Sequence, residues 1–219
     1  MAISLKGRNF FALEDFTPEE IRYLLDLAIQ LKKESREHIK HQNYIGEDFL
    51  LLFEMNSTRT RCAFETSAND LGMGTTFLSN SHFGNTETIK DSMRVFSEMY
   101  SAIGYRGAKH STLLEMAKDS AVPIINGYTD HQHPTQMLAD AMTLDEVWGR
   151  ENYKGKTLCF IGRGGAVNSF SYGVMCAMLG MNFTYITSYM EMDEALEGLT
   201  AAEKATFRKF VPEGVVSPN

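Results

Sequence analysis

Short, continuous apolar runs alternate with amphipathic segments along most of the chain. The run at 49–53 (FLLLF) is apolar throughout, which is typical of a strand buried on both faces of a sheet. Comparable runs follow at 75–78, 102–105 and 122–125, and apolar residues at helical spacing separate them. Strands and helices that alternate in this way predict an α/β fold, in which a doubly wound parallel sheet carries helices on both faces.

Proline marks the start of two predicted helices. Thr17 precedes Pro18 and two acidic residues, which is typical of a helix N-terminus. A capping hydroxyl, a proline at the first helical position and acids near the positive end of the helix dipole all stabilise that end. Pro134 predicts the start of a second helix, with apolar residues at helical spacing as far as Trp148.

The polar stretch 149–155 carries no periodic pattern and predicts the junction between two domains. The first would span residues 1–149 and the second residues 150–219. An apolar run at 157–161 begins a second α/β unit, whose pattern weakens after Ser188 to one or two helices and a short apolar pair.

Amino-acid composition and net charge exclude several classes of protein. Of the 219 residues, 43% are hydrophobic and 22% charged, as in ordinary globular proteins, and the net charge of -7 argues against a general nucleic-acid or membrane-surface role. Cys62, Cys159 and Cys176 lie far apart in apolar or helical segments, which indicates buried, reduced thiols. Neither a signal-peptide core nor an apolar run of about 18 residues occurs, so we expect a soluble, cytoplasmic protein.

The loops that follow predicted strands carry the candidate chemistry, because ligands of parallel α/β sheets bind at the carboxyl ends of strands. Ser57, Thr58, Arg59 and Thr60 follow the first run and begin a helix. A helix N-terminus offers unpaired N–H groups and partial positive charge, and the hydroxyls and the guanidinium add donors suited to phosphate.

Three further loops bring polar groups to the same predicted edge. Arg106 directly follows the third strand, and a proline holds His133 outside the helix that it begins. His133 and Gln136 can therefore both face the crevice and offer an imidazole and an amide. The polar loop 79–86, which contains His82, is long enough to act as a lid or to reach a neighbouring subunit.

Three segments carry a resemblance to a known family. They are FEMNSTRTRCAFE at 53–65, ETIKDSMRVFSEMY followed by YRG within 87–107, and DHQHPTQMLAD at 130–140. In order and spacing they resemble the carbamoyl-phosphate signatures of the ornithine carbamoyltransferases, over about residues 1–150. The C-A-F-E and I-K-D segments favour the ornithine branch over the aspartate branch.

The resemblance implies an enzyme that moves the carbamoyl group of carbamoyl phosphate to ornithine or a similar amino acid, giving citrulline and phosphate. It also implies trimers, in which the 79–86 loop with His82 reaches the adjacent subunit's site, and no metal or organic cofactor. The roles implied are phosphate binding by Ser57, Thr58, Arg59 and Thr60, carbonyl-oxygen binding by Arg106, His133 and Thr60, and carbamoyl-NH2 binding by Gln136.

The chain departs from the family pattern at several positions. Met55 stands where a lysine is usual, and His82 and Thr86 stand where the lid carries Gln and Lys. In a gapless match, Arg163, Gly165, Ala166 and Val167 occupy the ornithine-binding G-D-x-R-N-N loop, and the family's later segments have no counterpart. We therefore expect a truncated second α/β unit. Two hypotheses stay open: an active carbamoyltransferase, or a non-catalytic relative that keeps a phosphate pocket as a binding or assembly subunit.

Three other motifs point to different functions, each more weakly. The run 162–165 (GRGG) follows a strand, as a dinucleotide-binding loop does, but it lacks the third glycine of that motif. The segment 154–157 (KGKT) resembles part of a phosphate-binding loop, but it precedes its strand and has no glycine at 150, so this interpretation is rejected. His131 and His133 could ligate a metal, although no third ligand is evident in the sequence.

Overall fold

The computed structural model of the protein describes residues 3–162 and 167–186. The helices are α1 (Pro18–Arg36), α2 (Thr58–Asp70), α3 (Ile89–Met99), α4 (His110–Asp119), α5 (Pro134–Trp148) and α6 (Val167–Leu179). The strands are β1 (Asp48–Phe53), β2 (Gly74–Leu78), β3 (Ala102–Arg106), β4 (Ile124–Tyr128), β5 (Thr157–Ile161) and β6 (Asn182–Ile186). The turn at 163–166 and the helices expected after Ser188 lie outside the described residues.

Within these ranges the strands form two parallel sheets. The first has the order β2-β1-β3-β4, and the second pairs β5 with β6. Every neighbouring pair is parallel, so each connection must cross over the sheet, and a helix makes that crossover. The predicted α/β class with a parallel sheet is confirmed.

The first sheet is covered on both faces, as the doubly wound prediction requires. On β1, Leu50 and Leu52 face a buried cluster that includes Met93 of α3 and Leu113 of α4. The alternate side chains of β1, among them Leu51, face a second cluster built with α2. Because both faces are buried, the strand is apolar at five successive positions.

The fourth strand begins and ends later than its apolar run indicates. The sequence predicts a strand at 122–125, whereas β4 spans Ile124–Tyr128 and includes Asn126. Asn126 is completely buried, and hydrogen bonds within the protein satisfy its side-chain amide. A polar residue whose hydrogen bonds are satisfied can occupy a buried strand, so the strand continues past the apolar run.

Contacts within the chain group the described residues into two compact units. Residues 3–12 and 26–135 form the first, which contains the four-stranded sheet. Residues 13–25 and the described residues from 136 onward form the second, which contains β5, α6 and β6. The domain boundary at 149–150 stays a prediction. None of the helices in the described ranges is long and apolar enough to cross a membrane.

Candidate functional site

Three strands of the first sheet end side by side at one edge. In the strand register, Phe53 at the end of β1 pairs with Arg106 at the end of β3, and Arg106 pairs with Tyr128 at the end of β4. The segments that follow these strands therefore begin at neighbouring points of one edge. They carry the start of α2, the Arg106 side chain and the loop that ends at His133.

The N-terminus of α2 presents free donors. Ser57 is the N-cap residue, with an extended backbone, but its side chain makes no capping hydrogen bond. Among the described residues, the side chains of Thr58, Arg59 and Thr60 also have no hydrogen-bond or ion-pair partner, and Arg59 is exposed. The first turn of a helix has unpaired backbone N–H groups, so hydroxyl, guanidinium and amide donors are all available here to an anion.

Arg61 lies two residues after Arg59 but is engaged in packing. Its guanidinium carbon lies 3.6 Å from the centroid of the Phe77 ring on β2. Its Nε also donates to Glu65, one turn along α2, at 3.0 Å. The two arginines of the S-T-R-T-R motif therefore differ: Arg61 stabilises α2 against the sheet, whereas Arg59 is free to bind a ligand.

Arg106 is held in place through one end of its guanidinium. Its Nη1 donates to the carbonyl of Gly127 at 3.2 Å, and its Cζ lies 4.6 Å from the centroid of the Tyr128 ring. Its Nε is buried and has no hydrogen-bond partner among the described residues. Burial lowers the pKa of Arg106, with a smaller opposing contribution from Tyr128, but arginine remains protonated at any physiological pH.

His133 shares the Tyr128 ring with Arg106. The His133 imidazole meets that ring edge to face, with the centroids 5.5 Å apart, and its Nδ1 lies 3.4 Å from the Thr135 hydroxyl oxygen. Two of the residues predicted to bind a carbonyl oxygen, Arg106 and His133, are thus brought together around one tyrosine. Tyr128 was not among the residues predicted from the sequence.

Thr60, the third residue predicted to bind that oxygen, lies against Gly127. A Cβ added to Gly127 would lie 3.4 Å from the Thr60 methyl carbon, 3.1 Å from the Phe64 ring and 3.2 Å from the Tyr105 carbonyl oxygen. Only glycine lets α2 approach β4 this closely. The sequence feature that could have indicated this close contact is the glycine itself, which directly follows a polar residue within an apolar run.

Gln136 and His82 are the remaining residues that the sequence predicts to contribute to the site. Gln136 belongs to the second unit, is exposed, and donates from its Nε2 to Asp140 at 3.0 Å, one turn along α5. His82 lies exposed in the loop after β2, and its imidazole has no partner among the described residues. Their predicted roles in binding the carbamoyl group and in forming a lid remain predictions.

The described residues contain no group of three or more His, Cys, Asp or Glu side chains that could hold a metal ion. His131 instead packs against His110, with the ring centroids 4.7 Å apart. The start of α2, Arg106 and His133 bring hydroxyl, guanidinium, imidazole and backbone N–H groups to this edge, next to the Glu54 carboxylate, which accepts from the Tyr105 hydroxyl. Such an arrangement can bind a phosphate and stabilise negative charge on a neighbouring oxygen.

A parallel α/β sheet with anion-binding donors at its carboxyl edge is typical of enzymes that bind phosphorylated substrates. Residues 8–146 match the family model described as the aspartate/ornithine carbamoyltransferase, carbamoyl-P binding domain. The chain belongs to the aspartate/ornithine carbamoyltransferase family.

Individual relatives agree with this assignment. The ornithine carbamoyltransferase of Caldanaerobacter subterraneus is 45% identical over 185 residues, which are 84% of this chain and 58% of the relative. That of Pseudothermotoga lettingae is 41% identical, over 94% of this chain and 71% of the relative. The solved ornithine carbamoyltransferase from Pyrococcus furiosus superposes with a TM-score of 0.82 at 31% identity, over 90% of this chain and 63% of that one. The chain thus spans little more than half of the first relative.

Proposed function

We propose that this chain binds carbamoyl phosphate and transfers the carbamoyl group to the amine of ornithine or a similar amino acid. The products would be citrulline, when ornithine is the acceptor, and phosphate. Its relatives of 41–45% identity are named ornithine carbamoyltransferases, and the match to the carbamoyl-phosphate-binding model covers the whole first sheet.

The proposed chemistry needs cationic donors at two places. When an amine attacks the carbonyl carbon, negative charge grows first on the carbonyl oxygen and then on the departing phosphate. Arg106, His133 and Thr60 would stabilise the oxygen, as an oxyanion hole does. Ser57 to Thr60, with the first N–H groups of α2, would hold the phosphate. Gln136 would accept from the carbamoyl NH2 group. Holding the two substrates side by side supplies further acceleration.

One observation carries the proposal: Arg106 ends a strand flanked on one side by the strand leading to α2 and on the other by the strand leading to His133. Within the part of the chain that the structure describes, its buried Nε lacks a partner, and the side-chain donors at the start of α2 are likewise unpaired. An unsatisfied buried donor is costly for a folded protein, so a bound anion at this edge is a physical reason for retaining the Arg106 Nε, and the exposed donors of α2 are available to the same anion.

The test measures carbamoyl-phosphate binding by titration calorimetry in the wild type and in Arg59→Ala. Loss of a charge-assisted phosphate contact is expected to weaken binding by about 10- to 100-fold, equivalent to about 1.5–3 kcal/mol. The control is Arg94→Ala, which removes the same charge from an exposed arginine of α3 whose described ion pair, with Asp119, is 3.9 Å long. Equal affinity in both variants would contradict the assigned phosphate site.

A second assay separates the two open hypotheses. Citrulline formation from carbamoyl phosphate and ornithine, abolished by Arg59→Ala, would establish the transferase. Carbamoyl-phosphate binding without citrulline would favour the non-catalytic relative, or an acceptor other than ornithine. This second assay is needed because Val167, an apolar residue, begins α6 at the position where the family's ornithine-binding loop carries an asparagine.

We also propose a homotrimer and a cytoplasmic location. In the trimer, the exposed 79–86 loop with His82 would reach the neighbouring subunit's carbamoyl-phosphate site. The buried Phe83 anchors the middle of this loop in the core, so that the residues beside it can project outward. The cytoplasmic proposal is supported by the three cysteines, which are all free thiols, as in compartments that keep thiols reduced. The expectation that all three are buried is wrong for Cys62 and Cys159, which are exposed, and holds for Cys176.

A further inference from the structure

Asn126 is a completely buried polar side chain next to the site, and both ends of its amide form hydrogen bonds within the protein. Its exposure is 0%, and its Nδ2 lies 2.7 Å from the Phe11 carbonyl oxygen, 3.2 Å from the Gln132 carbonyl oxygen and 3.2 Å from the Thr129 hydroxyl. Its Oδ1 accepts from the Tyr128 N–H at 2.9 Å. Since carbonyl oxygens can only accept and an N–H can only donate, these partners determine which side-chain atom is nitrogen.

These contacts span the loop that leads from β4 to His133. The Thr129 N–H donates to the Gln132 carbonyl at 3.1 Å, which closes the loop on itself, and both residues are fully buried. On the opposite side, the Thr129 hydroxyl lies 3.0 Å from His110 Nδ1, and the His110 N–H donates to Asp130 at 2.7 Å. The loop is therefore held between the Asn126 amide and the N-terminus of α4.

The end of β4 and the loop that follows it together support both residues proposed to bind the carbonyl oxygen. Gly127 accepts the hydrogen bond from Arg106, and the Tyr128 ring lies between Arg106 and His133. Gln132 immediately precedes His133 and is tied to Asn126 through its carbonyl. A shift of this loop would consequently move the imidazole and the guanidinium together.

We infer that Asn126 is a positioning residue: its hydrogen bonds to the 128–132 loop determine the positions of His133 and Arg106. The expected effect on carbamoyl-phosphate binding rests on the proposed function, whereas the expected change in side-chain positions does not. Asn126→Asp keeps the size of the side chain and replaces the donor nitrogen by oxygen. Two carbonyl oxygens then face a carboxyl oxygen, and the loop loses its support.

The test compares wild type, Asn126→Asp and a matched control, Asn152→Asp. Asn152 is exposed, and its Nδ2 makes one hydrogen bond to the Trp148 carbonyl at 2.8 Å, so the control removes a similar bond far from the loop in sequence. The first readout is the pair of ring C–H resonances of His133, assigned with His133→Ala, since their shifts report the position of the Tyr128 ring. The second is carbamoyl-phosphate affinity.

Asn126→Asp is expected to move the His133 resonances and to weaken carbamoyl-phosphate binding by about tenfold or more, while Asn152→Asp changes neither. Unmoved His133 resonances in the folded variant would overturn the inference, whether or not affinity falls. If Asn126→Asp does not fold, Thr129→Val decides in the same way, because it removes the hydroxyl that joins Asn126 to His110. If the wild type does not bind carbamoyl phosphate, the proposed function fails, and the His133 resonances still decide on positioning.

Discussion

At the scale of single residues, Gly127 shows how closely the elements around the site are packed. It lies where α2, β3 and β4 meet, and an added Cβ would come within 3.2 Å of the Tyr105 carbonyl oxygen. Main-chain atoms inside a sheet cannot yield as a flexible side chain can. Gly173 in α6 is the opposite case, since the nearest atom to its Cβ would be in the Phe183 ring at an ordinary 3.4 Å.

The same substitution is therefore expected to have opposite effects at these two glycines. Gly127→Ala should lower the free energy of unfolding by about 1–3 kcal/mol, because it overpacks the core. Gly173→Ala should raise it by up to about 1 kcal/mol, because alanine favours the helix. Urea unfolding of both variants measures these changes. A stable Gly127→Ala protein would show that α2 can move away from the sheet at little cost.

At the scale of elements, Asp145 of α5 connects this helix to Arg22 of α1 and to the segment after α5 through largely buried polar contacts. Only 4% of its side chain is exposed. It accepts from the Tyr153 hydroxyl at 2.6 Å and from two nitrogens of Arg150 at 3.0 and 3.2 Å, and it forms an ion pair with Arg22 of α1 at 3.6 Å. Arg22 also donates to the Tyr153 hydroxyl. Burial, followed by the hydrogen bond to Asp145, raises the pKa of Tyr153.

Removing this carboxylate should be costly, because it leaves cationic partners in a largely buried cluster without their counter-charge. We expect Asp145→Asn to lower the free energy of unfolding by about 3 kcal/mol, the low end for buried pairs, since both arginines are partly exposed. Asp119→Asn, which removes an exposed 3.9 Å pair with Arg94, should cost under about 1 kcal/mol. Denaturant unfolding compares the two, and equal costs would mean that the Asp145 cluster is no stronger than a surface pair.

At the scale of the whole molecule, the proposed trimer predicts that each site needs two chains. Sedimentation equilibrium should give about three times the chain mass of 24.7 kDa. Arg59→Ala and His82→Ala should each weaken carbamoyl-phosphate binding when present alone. Mixed trimers of the two should recover some of it, because an intact Arg59 on one chain can meet an intact His82 on its neighbour. The unmixed variants are the controls, and a monomer or no recovery would contradict the shared site.

Much of the fold follows from local pattern. The predicted helix start at Thr17 agrees with reciprocal hydrogen bonds between Thr17 and Glu20, three residues apart. The helix predicted from Pro134 through Trp148 matches α5 at both ends. Helix starts and ends depend on residues within about one turn of each other, so the local sequence is enough to predict them. The family resemblance is likewise carried by short local motifs, and the match to the family model confirms it.

The arrangement at the site required the tertiary structure. A local partner already separates Arg61 from Arg59, because Glu65 lies one turn after Arg61, but the contact between Arg61 and the Phe77 ring, on another strand, arises only from the fold. The extension of β4 through Asn126 depends on Phe11, which is 115 residues away in sequence. By itself the sequence determined the class of fold, most element positions and the candidate residues. Only packing between distant segments decided which donors are free, because burial and partner choice depend on contacts that no local pattern contains.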